Sequence, residues 1–349
     1  MYRLWIFMML LVLASCQNEA PVKQEAAALP YGLIEGRTMG TYYRVTYADA
    51  QKRDFKAAID QLLLDINAEV STYEPNSLIT QFNNNDAPFE VAGEGHFSAN
   101  IRSARAIYAQ TGGAFDPTVM PLINYWGFGT TAKQPVMEVD SQKVAGLLEL
   151  VGFDRLSSRE EGEKVLLKKP RPGVQLDFSA IAKGYAVDEV GRLLEKEGIK
   201  DYLIDIGGEL VARGKNRKGD WWQLGIRTPT TDASVRDIEQ LVRLQNKGMA
   251  TSGNYENYYE VEGEKYGHTI NPKTGYPEIS KLLSATVIAE DCITADAFAT
   301  AFMVLGLEKA FELASQTEEI EACFIYGNEN SGMSVMLTEG MKSIIRPAN

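Results

Sequence analysis

Histidine and cysteine are scarce in this sequence, and their scarcity narrows its chemistry. Of 349 residues only two are histidine, His96 and His268, and three are cysteine. No Cys/His spacing typical of a zinc site occurs in the sequence, which excludes that class of metal centre. Cys292 and Cys323, the two cysteines beyond the N-terminal segment, could form one disulfide or remain two buried thiols.

Two common nucleotide-binding motifs are also missing. The sequence contains neither G-x-x-x-x-G-K-[ST] nor G-x-G-x-x-G, so P-loop and Rossmann sites are disfavoured. Positive charge is in deficit, with 35 Lys and Arg against 47 Asp and Glu and a net charge of −12. This balance argues against nucleic acid as a partner, although it is compatible with a local basic pocket.

The N-terminal apolar run, residues 4–13, is too short to cross a bilayer as a helix. It follows Arg3 and ends in Leu-Ala-Ser before Cys16, a pattern that resembles a bacterial lipoprotein signal. We predict a signal peptide over residues 1–15 and a flexible tether over residues 16–30, with Cys16 lipidated. The protein would then lie in the bacterial cell envelope, outside the cytoplasm and anchored to the inner or outer membrane. A plain secretory signal with an incidental Cys16 is the alternative.

Residues 31–349 show no repeat, long linker or low-complexity tract, so we expect one folded domain. Helices and strand pairs alternate without the regular βαβ period of a parallel sheet, which indicates the α+β class with mixed, largely antiparallel sheets. The predicted helices cover residues 54–66 and 101–109 and a segment that begins near Ser179, and two predicted strands flank Gly207-Gly208.

Asp296 and Thr300 stand four residues apart in a small, apolar segment, residues 294–302. In a helix they would lie on one face, one turn apart. A carboxylate with a hydroxyl suits a hard cation such as Mg²⁺. The alternative is an ordinary helix start, with Thr294 as the cap, Asp296 favoured by the helix dipole and Thr300 bonded back to a carbonyl.

Three loops carry further candidates, each with an ordinary structural alternative. Paired glycines before residues 114–117 let backbone approach a ligand, or they simply end a helix. Lys183 lies where a predicted strand enters a predicted helix, an arrangement that suits phosphate; the alternative is a surface lysine. His268 precedes a turn rich in Pro and Gly, where it could move a proton or only shape the turn.

Taken together, ten short segments occur in the order found in the ApbE family, the FAD:protein FMN transferases, and this chain resembles that family over nearly its whole mature length. The segments are residues 39–41, 71–83, 113–118, 126–129, 177–184, 205–208, 225–227, 251–253, 268–277 and 294–301.

The resemblance implies an ApbE-like, T-fold-related fold with two lobes and an active site in the cleft between them. It also implies roles for particular residues. They are Met39, Tyr73, Ala114, Phe115, Asp116, Lys183, Thr269 and Ile270 for FAD, and the Ala180 carbonyl, the Asp296 carboxylate and the Thr300 hydroxyl for Mg²⁺. Asp177 is expected at the end of a strand and not as a ligand.

The implied reaction is Mg²⁺-dependent transfer of FMN from FAD to a threonine or serine hydroxyl of another protein, with release of AMP. We interpret His268 as the residue that assists proton transfer. The sequence lacks the acceptor motif that such enzymes modify, so the acceptor is expected to be a separate flavoprotein, a subunit of a membrane redox complex. Two alternatives remain: an FAD pyrophosphatase that yields FMN and AMP, and a protein that binds FAD without turnover.

Overall fold

The computed structural model describes residues 29–130, 136, 138–229, 238–254, 258–261, 264–328 and 332–347. The predicted signal peptide and nearly all of the tether, including Cys16, lie outside these residues. None of the helices in the described ranges combines the length and apolar character that a membrane-spanning helix needs.

Strands and helices alternate along the described residues. The strands are β1 Tyr31–Thr38, β2 Thr41–Ala48, β3 Phe89–Ala92, β4 Ser157–Glu161, β5 Lys164–Lys168, β6 Tyr202–Ile206, β7 Glu209–Arg213, β8 Trp222–Arg227, β9 Ile238–Leu244, β10 Lys247–Gly253, β11 Tyr258–Val261, β12 Glu264–Gly267, β13 Leu282–Ala289, β14 Glu321–Gly327, β15 Met333–Leu337 and β16 Ile345–Pro347. The helices are α1 Lys56–Val70, α2 Leu78–Asn83, α3 His96–Gln110, α4 Met120–Tyr125, α5 Ser141–Leu148, α6 Ala182–Lys196, α7 Cys292–Leu305, α8 Leu307–Gln316 and α9 Glu339–Ile344.

An eight-stranded sheet organises the fold, in the order β1-β2-β6-β7-β10-β13-β14-β15. Its neighbouring strands pair antiparallel throughout. The smaller sheets, β16-β9-β8, β3-β5-β4 and β11-β12, are antiparallel as well. The predicted α+β class is therefore confirmed, with antiparallel pairing wherever the structure describes a sheet.

Both faces of the central strands are buried, because side chains alternate between two cores. On β13, Val287 belongs to the core formed with the helices, whereas Ile288 belongs to the core shared with β8 and β9. On β14, Phe324 and Ile325 divide in the same way. Cys292 and Cys323 are buried, one in each core, and form no disulfide, so of the two states that the sequence allows the structure has two buried thiols.

The predicted helices are present, but their starts differ from the predictions. Asp54 accepts the Lys56 amide, yet α1 begins at Lys56 and Phe55 is its N-cap residue. The helix expected from Ser179 begins at Ala182. Residues 174–178 form no strand and lead into α6 as an irregular segment. The predicted junction therefore contains the helix but not the strand.

Helices α6 and α7 approach each other closely at their first turns. A Cβ at Gly184 would lie 2.8 Å from Ile293 Cα, so only glycine allows this contact. One turn further along α6, Asp188 accepts the Cys292 and Ile293 amides, each at 2.9 Å. These two α6 residues therefore set the position of the α7 N-terminus.

Candidate active site

A cavity of about 770 Å³ opens beside the first turn of α6 and one face of α7. Its volume lies in the range of small-molecule sites, roughly 300–1,000 Å³. All but one of the predicted site residues border it: Tyr73, Ala114, Phe115, Asp116, Ala180, Lys183, His268, Thr269, Ile270, Asp296 and Thr300. The exception is Met39, which lies in the β1–β2 turn at φ 49° and packs against the main core.

Helix α7 places Asp296 and Thr300 on the cavity, as their spacing predicts. The cap is Asp291, which accepts the Thr294 amide, so the cap named in the ordinary alternative, Thr294, is wrong. Asp296 is 3% exposed, and its Oδ2 accepts the Gly184 amide at 3.0 Å. Thr300 Oγ1 shares a hydrogen bond of 3.1 Å with Ser252 Oγ on β10, and not the backbone bond of the ordinary alternative.

The Gly184–Asp296 contact also affects Ala180. In a helix that began earlier, the Gly184 amide would donate to the Ala180 carbonyl four residues before it. Here that amide donates to Asp296, which releases the Ala180 carbonyl from this bond. The same contact removes one amide from the predicted phosphate site, and the Ala182 amide donates to the Phe178 carbonyl. These two amides are therefore already paired, and the Lys183 side chain is the positive group at this helix start.

Lys183 is paired with a carboxylate that the sequence did not single out. Its Nζ lies 2.6 Å from Glu209 Oε1 and 4.0 Å from Asp296 Oδ1. Burial opposes protonation, but the attraction of Asp296 and Glu209 outweighs it and raises the pKa of Lys183. Burial raises the pKa of Glu209, and the charge of Lys183 opposes that rise. Lys183 is therefore a cation that lies between two buried carboxylates, those of Glu209 and Asp296.

Glu209 could have been noticed from its place directly after Gly207-Gly208. Gly207 has φ +62°, and its amide donates to the Tyr42 carbonyl at 3.1 Å, so the β6–β7 turn rests against the start of β2. The predicted strand pair is confirmed at this turn. Glu209 is the first residue beyond it, and it borders the cavity.

The segment after α3 ends that helix and then lines the cavity. Gly112 and Gly113 both have positive φ and end the helix. Asp116 borders the cavity, but its carboxylate accepts the Thr118 amide and hydroxyl and the Phe153 amide. Burial is the main cause that raises the pKa of Asp116. Its side chain therefore holds the cavity wall in shape.

Two predicted aromatic residues border the cavity in different environments. Tyr73 is 69% exposed and leaves a ring face open to a ligand, whereas Phe115 is 3% exposed and packs in the main core. Asp177 also borders the cavity, and its Oδ1 accepts the amide and hydroxyl of Ser179.

The loop after β12 brings His268 to the cavity. The His268 and Phe128 ring centroids lie 6.4 Å apart. Thr269 donates its hydroxyl to Asn254 Oδ1 at 2.7 Å, and Ile270 packs in a small core with Trp126. Trp126 Nε1 donates to the Gly275 carbonyl, which fastens the rest of the loop.

The oxygen atoms that line the cavity around Asp296 and Thr300 have the chemistry that Mg²⁺ requires. Asp296 supplies a carboxylate, Thr300 and Ser252 supply hydroxyls, and Ala180 supplies a carbonyl that the helix does not use. The described residues contain no cluster of three or more His, Cys, Asp or Glu that could hold a metal. A site there would thus combine one carboxylate with neutral oxygens.

Known proteins share this sequence pattern and fold. The model of the ApbE family matches residues 39–324. The FAD:protein FMN transferase of Haemophilus influenzae is 39% identical over 316 residues, which cover 88% of each chain. The structure of the flavin transferase ApbE from Vibrio cholerae superposes with a TM-score of 0.79 at 31% identity, covering 90% of this chain and 99% of that one. The apo flavinyl transferase ApbE from Pseudomonas stutzeri gives 0.80 at 32% identity, covering 90% and 97%. This chain belongs to the ApbE family.

Proposed function

We propose that this protein transfers the FMN moiety of FAD to a threonine or serine hydroxyl of another protein and releases AMP. One observation carries the proposal: Lys183, Asp296, Thr300 and His268 border a single cavity with an exposed aromatic face at Tyr73. The relatives named FAD:protein FMN transferase support the same activity. A charged, oxygen-rich cavity beside an aromatic ring suits a flavin dinucleotide.

The reaction exchanges one phosphorus–oxygen bond for another. The acceptor hydroxyl oxygen bonds to the FMN phosphorus, and the bond from that phosphorus to the bridging oxygen breaks, so AMP leaves with that oxygen. His268 takes the hydroxyl proton, and the Lys183 ammonium offsets negative charge on the phosphates. Mg²⁺ held by Asp296, Thr300 and the Ala180 carbonyl would supply further charge neutralisation.

Turnover with a defined acceptor tests the proposal. The folded domain is incubated with FAD and Mg²⁺, with and without a peptide that carries the acceptor motif of the family, and AMP and peptide mass are measured. We expect AMP and a flavin-bearing peptide in equal amounts, and loss of both in Asp296→Ala. AMP without peptide flavin would mean a pyrophosphatase, and FAD binding without AMP would mean a storage protein; either result contradicts the proposal.

We further propose that Cys16 is lipidated and anchors the domain to the inner or outer membrane, outside the cytoplasm in the periplasm, near a flavoprotein subunit of a redox complex. The short apolar run and the Leu-Ala-Ser-Cys sequence support this location. Wild type should fractionate with membranes and enter the detergent phase, whereas Cys16→Ala should not. Membrane association of Cys16→Ala equal to that of wild type would contradict the anchor.

A further inference from the structure

Glu209 is a buried charge at the cavity to which the proposed reaction assigns no role. The residue is 5% exposed. Its Oε1 accepts the Lys183 ammonium at 2.6 Å, and its Oε2 is buried without a hydrogen-bond partner among the described residues. Lys183 is thus the cation that compensates this carboxylate.

Lys183 has two carboxylates within reach and contacts only one of them closely. Its Nζ is 2.6 Å from Glu209 but 4.0 Å from Asp296. A lysine side chain is a flexible stem with a point charge, so it turns to whichever anion is available. The attraction between unit charges strengthens as distance and local dielectric fall. Without the charge of Glu209, the ammonium would therefore move onto Asp296.

The backbone holds Glu209 firmly enough to compete for this ammonium. Glu209 begins β7, and the turn before it is fixed by the Gly208 amide, which donates to Asp205 Oδ1 at 2.9 Å. A Cβ at Gly207 would lie 2.7 Å from Thr41 Cγ2, so the turn sits tightly on β2. Glu209 is thus the rigid partner of the pair, and Lys183 is the adaptable one.

We propose that Glu209 is a positioning residue that holds Lys183 away from Asp296, so that the Asp296 carboxylate stays available to a divalent cation. This inference rests on the proposed function, in which Asp296 binds Mg²⁺. An ammonium paired with Asp296 would occupy the oxygen that the cation needs and would repel the cation. Glu209 therefore acts on the cation through Lys183 and is not itself one of its ligands.

Cation binding without FAD tests the role directly. Mn²⁺ binding is measured by electron paramagnetic resonance, and Mg²⁺ binding by calorimetry, on the FAD-free domain. Glu209→Gln keeps the size and removes the charge; we expect its cation affinity to fall about tenfold or more, in the range seen when groups that support a metal ligand are removed. The control is Glu90→Gln, which removes an exposed pair with Lys164 at 2.6 Å and should bind the cation like wild type.

The same substitution in a Lys183→Met variant distinguishes positioning of Lys183 from direct attraction between Glu209 and the cation. In Lys183→Met, no ammonium remains to move, so adding Glu209→Gln should cause no further loss of cation affinity. The double variant removes both charges of the pair, so no buried charge is left without a partner, which favours its folding. If Glu209→Gln does not fold, Glu209→Asp replaces it, and we expect severalfold weaker binding that depends on Lys183.

Each outcome decides between the alternatives. If Glu209→Gln binds the cation as tightly as wild type, the positioning role is overturned. It is also overturned if Glu209→Gln lowers cation affinity in the Lys183→Met variant by as much as, or more than, it does in the wild-type protein. Unchanged cation binding in Asp296→Ala overturns the metal site itself, and the positioning role falls with it. Loss in Asp296→Ala together with wild-type binding in Glu209→Gln would leave the proposed function intact and reject only the role of Glu209.

Discussion

The two histidines of this chain occupy different surroundings. His268 borders the cavity near Phe128, whereas His96 begins α3, and its Nδ1 lies 2.8 Å from the Tyr185 hydroxyl. An imidazole can accept a proton near neutral pH, and in the proposed reaction His268 accepts the proton of the acceptor hydroxyl. His96 lies outside the residues that line the cavity, so it serves as a control for this role.

We expect His268→Ala to lower FMN transfer on the order of 10²- to 10⁴-fold, because a positioned general base contributes about that much. FAD affinity, followed by flavin fluorescence, should change little. His96→Ala should retain transfer within a fewfold of wild type. Full turnover in His268→Ala would remove that residue from the mechanism.

The protonation of the buried Asp188 carboxyl makes the stability of the fold depend on pH. Burial is the main cause that raises the pKa of Asp188 to about 7, and its hydrogen bonds to Cys292 and Ile293 only partly oppose the effect. The ordinary pKa is 3.8. Between these two values the folded state holds a proton that the unfolded chain has lost, so the free energy of unfolding falls as pH rises from about 4 to 7.

We therefore expect Asp188→Asn to fall less in stability than wild type between pH 5 and pH 8. From pH 5 to the folded pKa of about 7 the span is about two pH units, so the difference is on the order of 3 kcal/mol. Urea unfolding at several pH values measures it. Asp49→Asn is the control, because the Arg53 hydrogen bond lowers the pKa of Asp49 to about 2, so this carboxylate stays ionised across that range. Parallel pH profiles for wild type and Asp188→Asn would contradict the assignment.

At the scale of elements, one face of α6 determines where α7 begins. Gly184 and Asp188 lie four residues apart on that face; the first permits close approach, and the second binds the opening amides of α7. From this start, Asp296 reaches the Gly184 amide and Thr300 reaches Ser252. The candidate cation site is thus a product of packing between two helices.

Gly184→Ala should separate these helices, because the new Cβ would meet the α7 backbone at 2.8 Å. We expect a loss of about 1–3 kcal/mol in unfolding free energy, as overpacking typically causes, and a marked fall in FMN transfer. Gly146→Ala is the matched control: this glycine lies in α5 with nothing within 4 Å of a Cβ, so alanine should stabilise by about 0.5–1 kcal/mol. Equal effects of the two substitutions would contradict the close approach.

At the scale of the whole molecule, the central sheet separates two cores. Helices α1, α3, α6, α7 and α8 contribute to the core on one face, and β8, β9 and α9 contribute to the core on the other. The sheet is therefore buried on both faces at its centre, and neither core is complete without it. The cavity lies on the helix side, because α6 and α7 both contribute to its wall.

Substitutions on the two faces of the sheet should be comparably severe. Ile288→Ala and Phe324→Ala empty space in opposite cores, and we expect losses of about 2–5 kcal/mol each. Leu33→Ala on edge strand β1, where the side chain is 54% exposed, should cost less than about 0.5 kcal/mol. Chemical denaturation measures all three. A near-neutral Ile288→Ala would mean that the second core contributes little.

Local residue patterns predict two elements of this fold correctly. The helix that carries Asp296 and Thr300 and the strand pair about Gly207-Gly208 follow from residue spacing and glycine placement, and the structure contains both. The same patterns do not predict where a helix starts, because Asp291 and Thr294 are both good caps and only the hydrogen bond to the Thr294 amide shows that Asp291 is the one used.

The sequence by itself determined the family and the α+β class, since these depend on motifs and on the order of helices and strands, and all but one of the site residues that it predicted border the cavity. Only the tertiary structure decided that Lys183 pairs with Glu209, 26 residues away, and that the Gly184 amide is taken by Asp296, 112 residues away. No local pattern encodes such contacts. They arise because two helices and a strand turn meet at one buried point, where every charge and every hydrogen-bonding group needs a partner.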